Sequence, residues 1–395
     1  MVLSGLKDEV VIKFSAGVIG EDLSFVSDGL SLVVSDGTVT SIEGGNIAPD
    51  IDLSCCMVMP PAANMHVHVL DYVAPESGLN LSIDEIVGEP HGIKYRLIME
   101  VPRENLLQVV REFRTLSWRL GVGFIAEFRE LGTYGLSIDK GERPYGHFVL
   151  GMPSTHDPRT VRSESPELLE LGDGLGISSP LYFSEDVLNY LISEFRRKGK
   201  PVFSHVSETR ETWELRDFDL ILRVGPPDTV VHGTWLRREE LQTLSSHGIN
   251  LVLCLRSNEW FKVGLPNLKA VYESGVSVSL GTDNCGWVKP DPWREAERFF
   301  TLARAAGVND AKWVLKALLN ASPVGVKNRI VEGGSANFIV LRYAGTVLER
   351  AKDKYAGLVK RGGEDLVISL VMEGVCRYCA EEATPLRYGL RNHVS

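Results

Sequence analysis

The feature that most constrains this chain is a series of eight short apolar runs through its middle, with amphipathic stretches between many of them. The runs are Met57 to Met59 leading into His66, Gly123 to Phe128, Phe148 to Met152, Leu175 to Ser178, Pro201 to His205, Thr229 to His232, Asn250 to Leu255 and Ser277 to Thr282. Runs of this length read as strands. Between them, Glu104 to Leu120 places Leu106, Leu107, Val110, Phe113 and Leu116 at helical spacing. Ser184 to Lys198 does the same with Val187, Leu188, Leu191, Ile192 and Phe195, and Ser184-Glu185-Asp186 is a helix start. Eight strand–helix units fit a (β/α)8 TIM barrel. An open doubly wound sheet would want a Gly-rich phosphate loop after an early strand, and none is present.

Both chain ends have a different texture. Val10 to Phe14 and Leu30 to Val34 read as short strands, with Ser35-Asp36-Gly37 as a turn signal after the second. Asn337 to Leu341 and Leu366 to Val375 repeat the pattern near the C-terminus. The expected organisation is therefore a composite β-sandwich from residues 1–58 and 332–395, with the barrel, 59–331, inserted between them. The net charge of −10 disfavours a nucleic-acid partner. No apolar run approaches the roughly 20 residues of a membrane helix. Lys7, Asp8, Glu9 and Lys13 interrupt any signal-peptide core, so a cytoplasmic protein is expected. The six cysteines make no disulfide framework, and the lone Cys376-x-x-Cys379 has no second pair with which to form a zinc ribbon.

The ionisable residues gather where a barrel does its chemistry, at the C-terminal ends of strands. The first strand ends in His66-Val67-His68, the fifth in His205 with Glu208 three residues on, the sixth in His232-Gly233 and the eighth in Asp283. Residues two apart on a strand point the same way, so His66 and His68 reach one ion together. An imidazole from strand 5 and a carboxylate from strand 8 complete a mixed N/O shell for one divalent metal ion, zinc or iron rather than calcium or magnesium. Taken singly, each residue has a plainer explanation; Asp283 before Asn284, for instance, also reads as a helix cap. The joint pattern, with four of the nine histidines at such ends, favours a metal site. His91, His147, His156, His247 and His393 show no such pattern.

On these residues the chain resembles the amidohydrolase superfamily, in its cytosine deaminase, methylthioadenosine/S-adenosylhomocysteine deaminase and triazine hydrolase branch. The segments MPPAANMHVHV, SHVSET, VVHGTWL, LRSN and LGTDN carry the resemblance through the barrel, and GGSANFIVL carries it into the flanking strands. The resemblance implies that His66, His68, His205 and Asp283 ligate the metal. It implies that Glu208 shuttles protons, that His232 contacts the reacting centre, and that Ser257 and Asn258 lie near substrate. Pro60-Pro61 stands where the family commonly has Pro-Gly, and Leu255 where proline is common. The strand-4 end, GISSP at 176–180, lacks the bridging lysine of binuclear members, which implies one metal.

The implied reaction is hydrolytic deamination of an aminated heterocycle such as a nucleobase or nucleoside, by a metal-activated water with Glu208 and Asp283 moving protons. Hydrolysis of a cyclic amide or a C–Cl bond at the same site stays open, as does a catalytically inactive barrel used for binding. Further candidates for lining the pocket are Glu127, Arg129 and Glu130 after strand 2, Arg256 and Trp260 after strand 7, and Trp287, whose ring could stack on a planar substrate. His91, in the long loop after strand 1, is a candidate substrate ligand. The resemblance also suggests a homo-oligomer.

Overall fold

The structure is a computed structural model that describes residues 9–44 and 47–390. Lys7, Asp8 and His393, and the outermost parts of the expected terminal domain, lie outside the described residues. Five strands come first: β1 (Val10–Ile19), β2 (Ser24–Val26), β3 (Leu30–Ser35), β4 (Thr38–Glu43) and β5 (Ile51–Met59). The barrel strands follow as β6 (Ala62–His68), β7 (Val122–Arg129), β8 (His147–Gly151), β9 (Gly174–Ile177), β10 (Val202–Val206), β11 (Thr229–His232), β12 (Asn250–Leu253), β13 (Val278–Leu280) and β14 (Asp283–Asn284). The last three are β15 (Phe338–Arg342), β16 (Val367–Met372) and β17 (Val375–Cys379).

Strands β6 to β13 pair in chain order and in parallel. Their residues are buried almost throughout, because helices cover the outside and side chains fill the inside. The eighth strand is broken at Gly281-Thr282, and its short continuation β14 pairs with β6, matching Asp283 to Val67 and Asn284 to His68. Closing the barrel is therefore what brings Asp283 beside the His66-x-His68 pair. This seam is tight: a Cβ on Gly281 would stand 2.7 Å from His66 Cβ. The fold is a TIM barrel joined to a strand-rich layer that both chain ends build.

In that layer β5 runs parallel to β1 and antiparallel to β15, so the N-terminal strands and the C-terminal strands join edge to edge in one sheet. Phe14, Leu32, Val58, Phe338, Val340 and Ile368 belong to a second apolar core on it. Met57 to Met59, expected to lead straight into the first barrel strand, belongs to this layer instead. Pro60 and Pro61 interrupt the extended chain, because proline donates no hydrogen bond to a ladder. Leu366 to Val375, expected as one strand, is a hairpin. Glu373 and Gly374 take left-handed backbone between β16 and β17. The run Asn250 to Leu255 is cut at Leu253, and Leu255–Trp260 is a short helix. The two amphipathic stretches form the helices Arg103–Arg119 and Glu185–Arg197, the latter capped by Ser184 accepting from the Val187 N–H.

Between β6 and β7 the chain makes an excursion over the C-terminal mouth of the barrel. It contains α1 (Ile83–Val87) and α2 (Ile93–Glu100), and it forms one wall of the cavity there.

Candidate metal centre and its cavity

The strand ends bring together the ionisable residues that the sequence singled out. Ligand atoms of His66, His205, His232 and Asp283 lie within 4.8 Å of one another. His66 Nε2 is 3.0 Å from Asp283 Oδ1 and 3.0 Å from His205 Nε2. His68 stands at the edge of this group, with Nε2 3.6 Å from Asp283 Oδ1 and its ring stacked on His205. Three strand ends take left-handed backbone at non-glycine residues: Ser207 (φ 50°), His232 (φ 70°) and Asp283 (φ 60°). Such conformations cost on the order of 1–3 kcal/mol each and persist where the surrounding structure enforces them.

Each ring is oriented from behind. His205 Nδ1 donates to the Ser178 carbonyl at 3.0 Å, so its Nε2 carries the lone pair towards the cluster. That carbonyl occupies the strand-4 end, where no lysine is present. His232 Nδ1 donates to Asn258 Oδ1 at 3.0 Å, and Asn258 in turn donates to Thr234. His68 Nδ1 donates to Glu130 Oε1 at 2.5 Å. Asp283 Oδ2 accepts from Ser257 Oγ at 2.6 Å and from Asn284 Nδ2 at 2.9 Å.

The electrostatics suit a cation. Burial pulls His66 down to about 3 and holds His205 well below its ordinary value, which keeps both rings neutral. Burial alone would raise the Asp283 carboxyl, but the His66 hydrogen bond and the facing histidines hold it well below the usual range. Burial pushes the Glu208 carboxyl up. Two facing nitrogens and a carboxylate oxygen at 3.0 Å spacing match donors that share one zinc, which stand roughly 3.3 Å apart when each bond is about 2.0–2.1 Å. His66 Nδ1, Glu130 Oε2 and both oxygens of Asp71 are buried without a hydrogen-bond partner. Buried polar atoms are normally satisfied, and these lie around the cluster rather than among its facing ligand atoms, with the Lys94 ammonium 3.5 Å from Asp71 Oδ1.

The cluster opens into a cavity of about 660 Å³, within the usual range for small-molecule sites. Glu208 lies on its wall with Oε1 3.7 Å from His232 Nε2. Several expected pocket residues are elsewhere. Ser257 and Asn258 sit on the helix after β12 and act from behind the cluster, on Asp283 and His232. Trp287 is buried, donating Nε1–H to the Ser77 carbonyl at 2.6 Å, and so holds the loop after β6. His91 is exposed and off the cavity wall; two residues before it, Glu89 turns inwards. Glu89 accepts from Tyr95 Oη at 2.9 Å, His156 Nε2 at 2.6 Å and Ser178 Oγ at 3.0 Å. Glu127, Arg129, Glu130, Arg256 and Trp260 are not on the wall either. Sequence reasoning missed Lys94, a buried lysine that the wall includes. Its only signal was a charge on the inward side of a short helix.

Residues 133–351 match the amidohydrolase family. A putative aminohydrolase of Methanothermobacter thermautotrophicus is 28% identical over 87% of this chain and 93% of its own length. The 5-methylthioadenosine/S-adenosylhomocysteine deaminase of Pyrococcus furiosus is 30% identical over 82% of this chain and 84% of that one. A zinc-bound adenosine deaminase from Xanthomonas campestris superposes with a TM-score of 0.81 at 17% identity, covering 97% of this chain and 94% of that chain, a likeness of fold. The chain belongs to the amidohydrolase family. It is a hydrolase acting on carbon–nitrogen bonds other than peptide bonds, with small molecules as substrates.

Proposed function

We propose that this enzyme hydrolytically deaminates an aminated heterocycle of nucleobase or nucleoside size, using one divalent metal ion, zinc before iron, held by His66, His68, His205 and Asp283. The observation that carries the reading is the position of Glu208. Its carboxyl stands on the cavity wall, 3.7 Å from His232 Nε2 and next to the ligand cluster. Deamination needs a carboxyl that gives a proton to the ring nitrogen as the adjacent carbon is attacked, whereas simple amide hydrolysis does not.

When bound, a divalent ion in this shell would supply a nucleophilic water at neutral pH. Burial pushes the Glu208 carboxyl up, which favours the form that can donate to a substrate nitrogen. Asp283, held ionised by its neighbours and aimed by Ser257, is the acceptor for the proton leaving the water. His232, with Nδ1–H committed to Asn258, presents the Nε2 lone pair to the attacking oxygen and accepts a hydrogen bond from its O–H, which orients it. Glu89, fixed by three donors, offers an acceptor to polar groups on the remainder of the substrate.

His232, not His68, belongs to the tightest geometric group, so the shell has a direct test. With His68 as ligand, His68→Ala loses the ion and His232→Ala keeps it; the reverse exchanges their roles. For the reaction, ammonia release is measured over a panel of aminated purines, pyrimidines and their nucleosides. Turnover of at least one with stoichiometric ammonia supports deamination. Chloride release from a chlorinated triazine, or ring opening of a cyclic amide, without ammonia from any member of the panel, sinks it. The expected homo-oligomer is checked by light scattering of the purified enzyme. Among the described residues, no helix is long and apolar enough to cross a membrane.

A further inference from the structure

We propose that Lys94 is a positioning residue for His68, acting through Glu130, and so ties the wall of the cavity to the metal shell; this rests on the reading of His68 as a ligand. Lys94 is 3% exposed and belongs to α2, on the excursion between β6 and β7. Its ammonium lies 2.8 Å from Glu130 Oε1 and 3.5 Å from Asp71 Oδ1. The same Glu130 oxygen accepts the His68 Nδ1–H. One carboxylate oxygen is thus held between an imidazole from β6 and an ammonium from the excursion.

An ammonium is costly to bury, and a surface-type role would not require it there. What it gains is contact with two buried carboxylates whose other oxygens have no hydrogen-bond partner. Removing Lys94 leaves Glu130 without its only other donor among the described residues and without its nearby charge partner, free to turn away from His68. The ring then loses the acceptor that directs its Nε2 at the cluster. Outer groups that orient ligating histidines are worth about 10–100-fold in metal affinity or activity. The next residue, Tyr95, donates to Glu89 on the cavity wall, so a single turn of α2 reaches both the metal shell and the substrate side.

The test measures zinc affinity by chelator competition, and the melting temperature of the metal-free enzyme, in full-length protein. The variants are Lys94→Met, Lys94→Gln, Glu130→Gln and the Lys94→Met/Glu130→Gln double. Zinc affinity is expected to fall about 10–100-fold in Lys94→Met and in Glu130→Gln. The double variant is expected to bind no more weakly than the weaker single one, because both changes break one relay. Lys94→Gln, which keeps a donor towards Glu130, is expected to fall between wild type and Lys94→Met, and supplies the measurement if Lys94→Met does not fold. Arg129→Met is the comparison for plain destabilisation: its melting temperature drops while its zinc affinity holds. Zinc affinity within twofold of wild type in the Lys94 variants, or additive losses in the double, overturns the proposal. Wild type that binds no zinc overturns the ligand reading itself, and this proposal with it.

Discussion

Two buried clusters of histidine, carboxylate and cationic side chains stand on either side of β7, and they differ in how completely they are satisfied. Beneath the strand, Glu127 accepts from Arg129 and from His147 Nε2 at 2.7 Å. Arg129 also donates to the Gly135 carbonyl at 2.9 Å and to Asp139 at 3.2 Å. Arg114 donates to His147 Nδ1 at 2.9 Å and to Asp139, and Arg143 donates to Asp139. None of these side-chain atoms lacks a partner. The cluster at the barrel mouth has the same residue types and similar burial, yet it keeps orphaned atoms on His66, Glu130 and Asp71. The closed network is paired throughout and holds structure; the open one faces a cavity and keeps buried polar atoms without hydrogen-bond partners. Composition does not separate the two, whereas the tally of hydrogen bonds does.

The largest effect should come from breaking the open cluster. His66→Ala/His68→Ala is expected to lose the bound ion altogether, from about one per chain to none by elemental analysis, and with it all measurable turnover. The fold should survive, since the barrel core is apolar. Retention of a full equivalent of metal would mean that these histidines are not the shell. Next comes Glu208→Gln, expected to cut kcat by about 10²–10⁴-fold while metal content stays at the wild-type level. A change in KM alone would reduce Glu208 to a binding group.

Breaking the closed network should do the opposite. Arg129→Met leaves Glu127 and Asp139 as buried charges short of a partner, and is expected to cost about 3–5 kcal/mol in denaturant unfolding. The kcat of the remaining folded enzyme should be unchanged; a large fall in kcat would join the two clusters into one functional unit. The smallest effect concerns Glu295, buried outside both clusters, with one oxygen lacking a hydrogen bond. Burial lifts its carboxyl from the ordinary 4.5 to about 7. Its contribution to stability is therefore fully present below about pH 4.5 and is lost as pH rises through about 7. That is a swing of about 3 kcal/mol. Glu295→Gln keeps the acceptor for the Arg256 N–H and should flatten stability between pH 5 and pH 8. An unchanged slope would mean that the carboxyl is ionised throughout.

Much of the centre was legible because barrel geometry converts sequence position into location. A polar residue that ends an apolar run must sit at the mouth, so His66, His205, His232 and Asp283 declare themselves. The misplaced residues share a different cause. Ser257 and Asn258 follow a strand as a substrate contact would, but the short helix Leu255–Trp260 turns them behind Asp283 and His232. His91 and Glu89 lie two apart in one loop, and nothing in their order says which of them turns inwards. Lys94 could be recognised only by what it meets, since Asp71 and Glu130 are 23 and 36 residues away along the chain.

The sequence by itself determined the barrel, the strand-rich layer from both chain ends, and the gathering of His66, His68, His205, His232 and Asp283 at the barrel's mouth. These follow from periodicity and burial, which act locally along the chain. Only the tertiary structure decided which of two similar buried clusters is left incomplete, which face of the excursion lines the cavity, and what stands behind each histidine. Those outcomes depend on hydrogen-bond partners supplied by distant segments. The barrel sets them only when β14 closes onto β6.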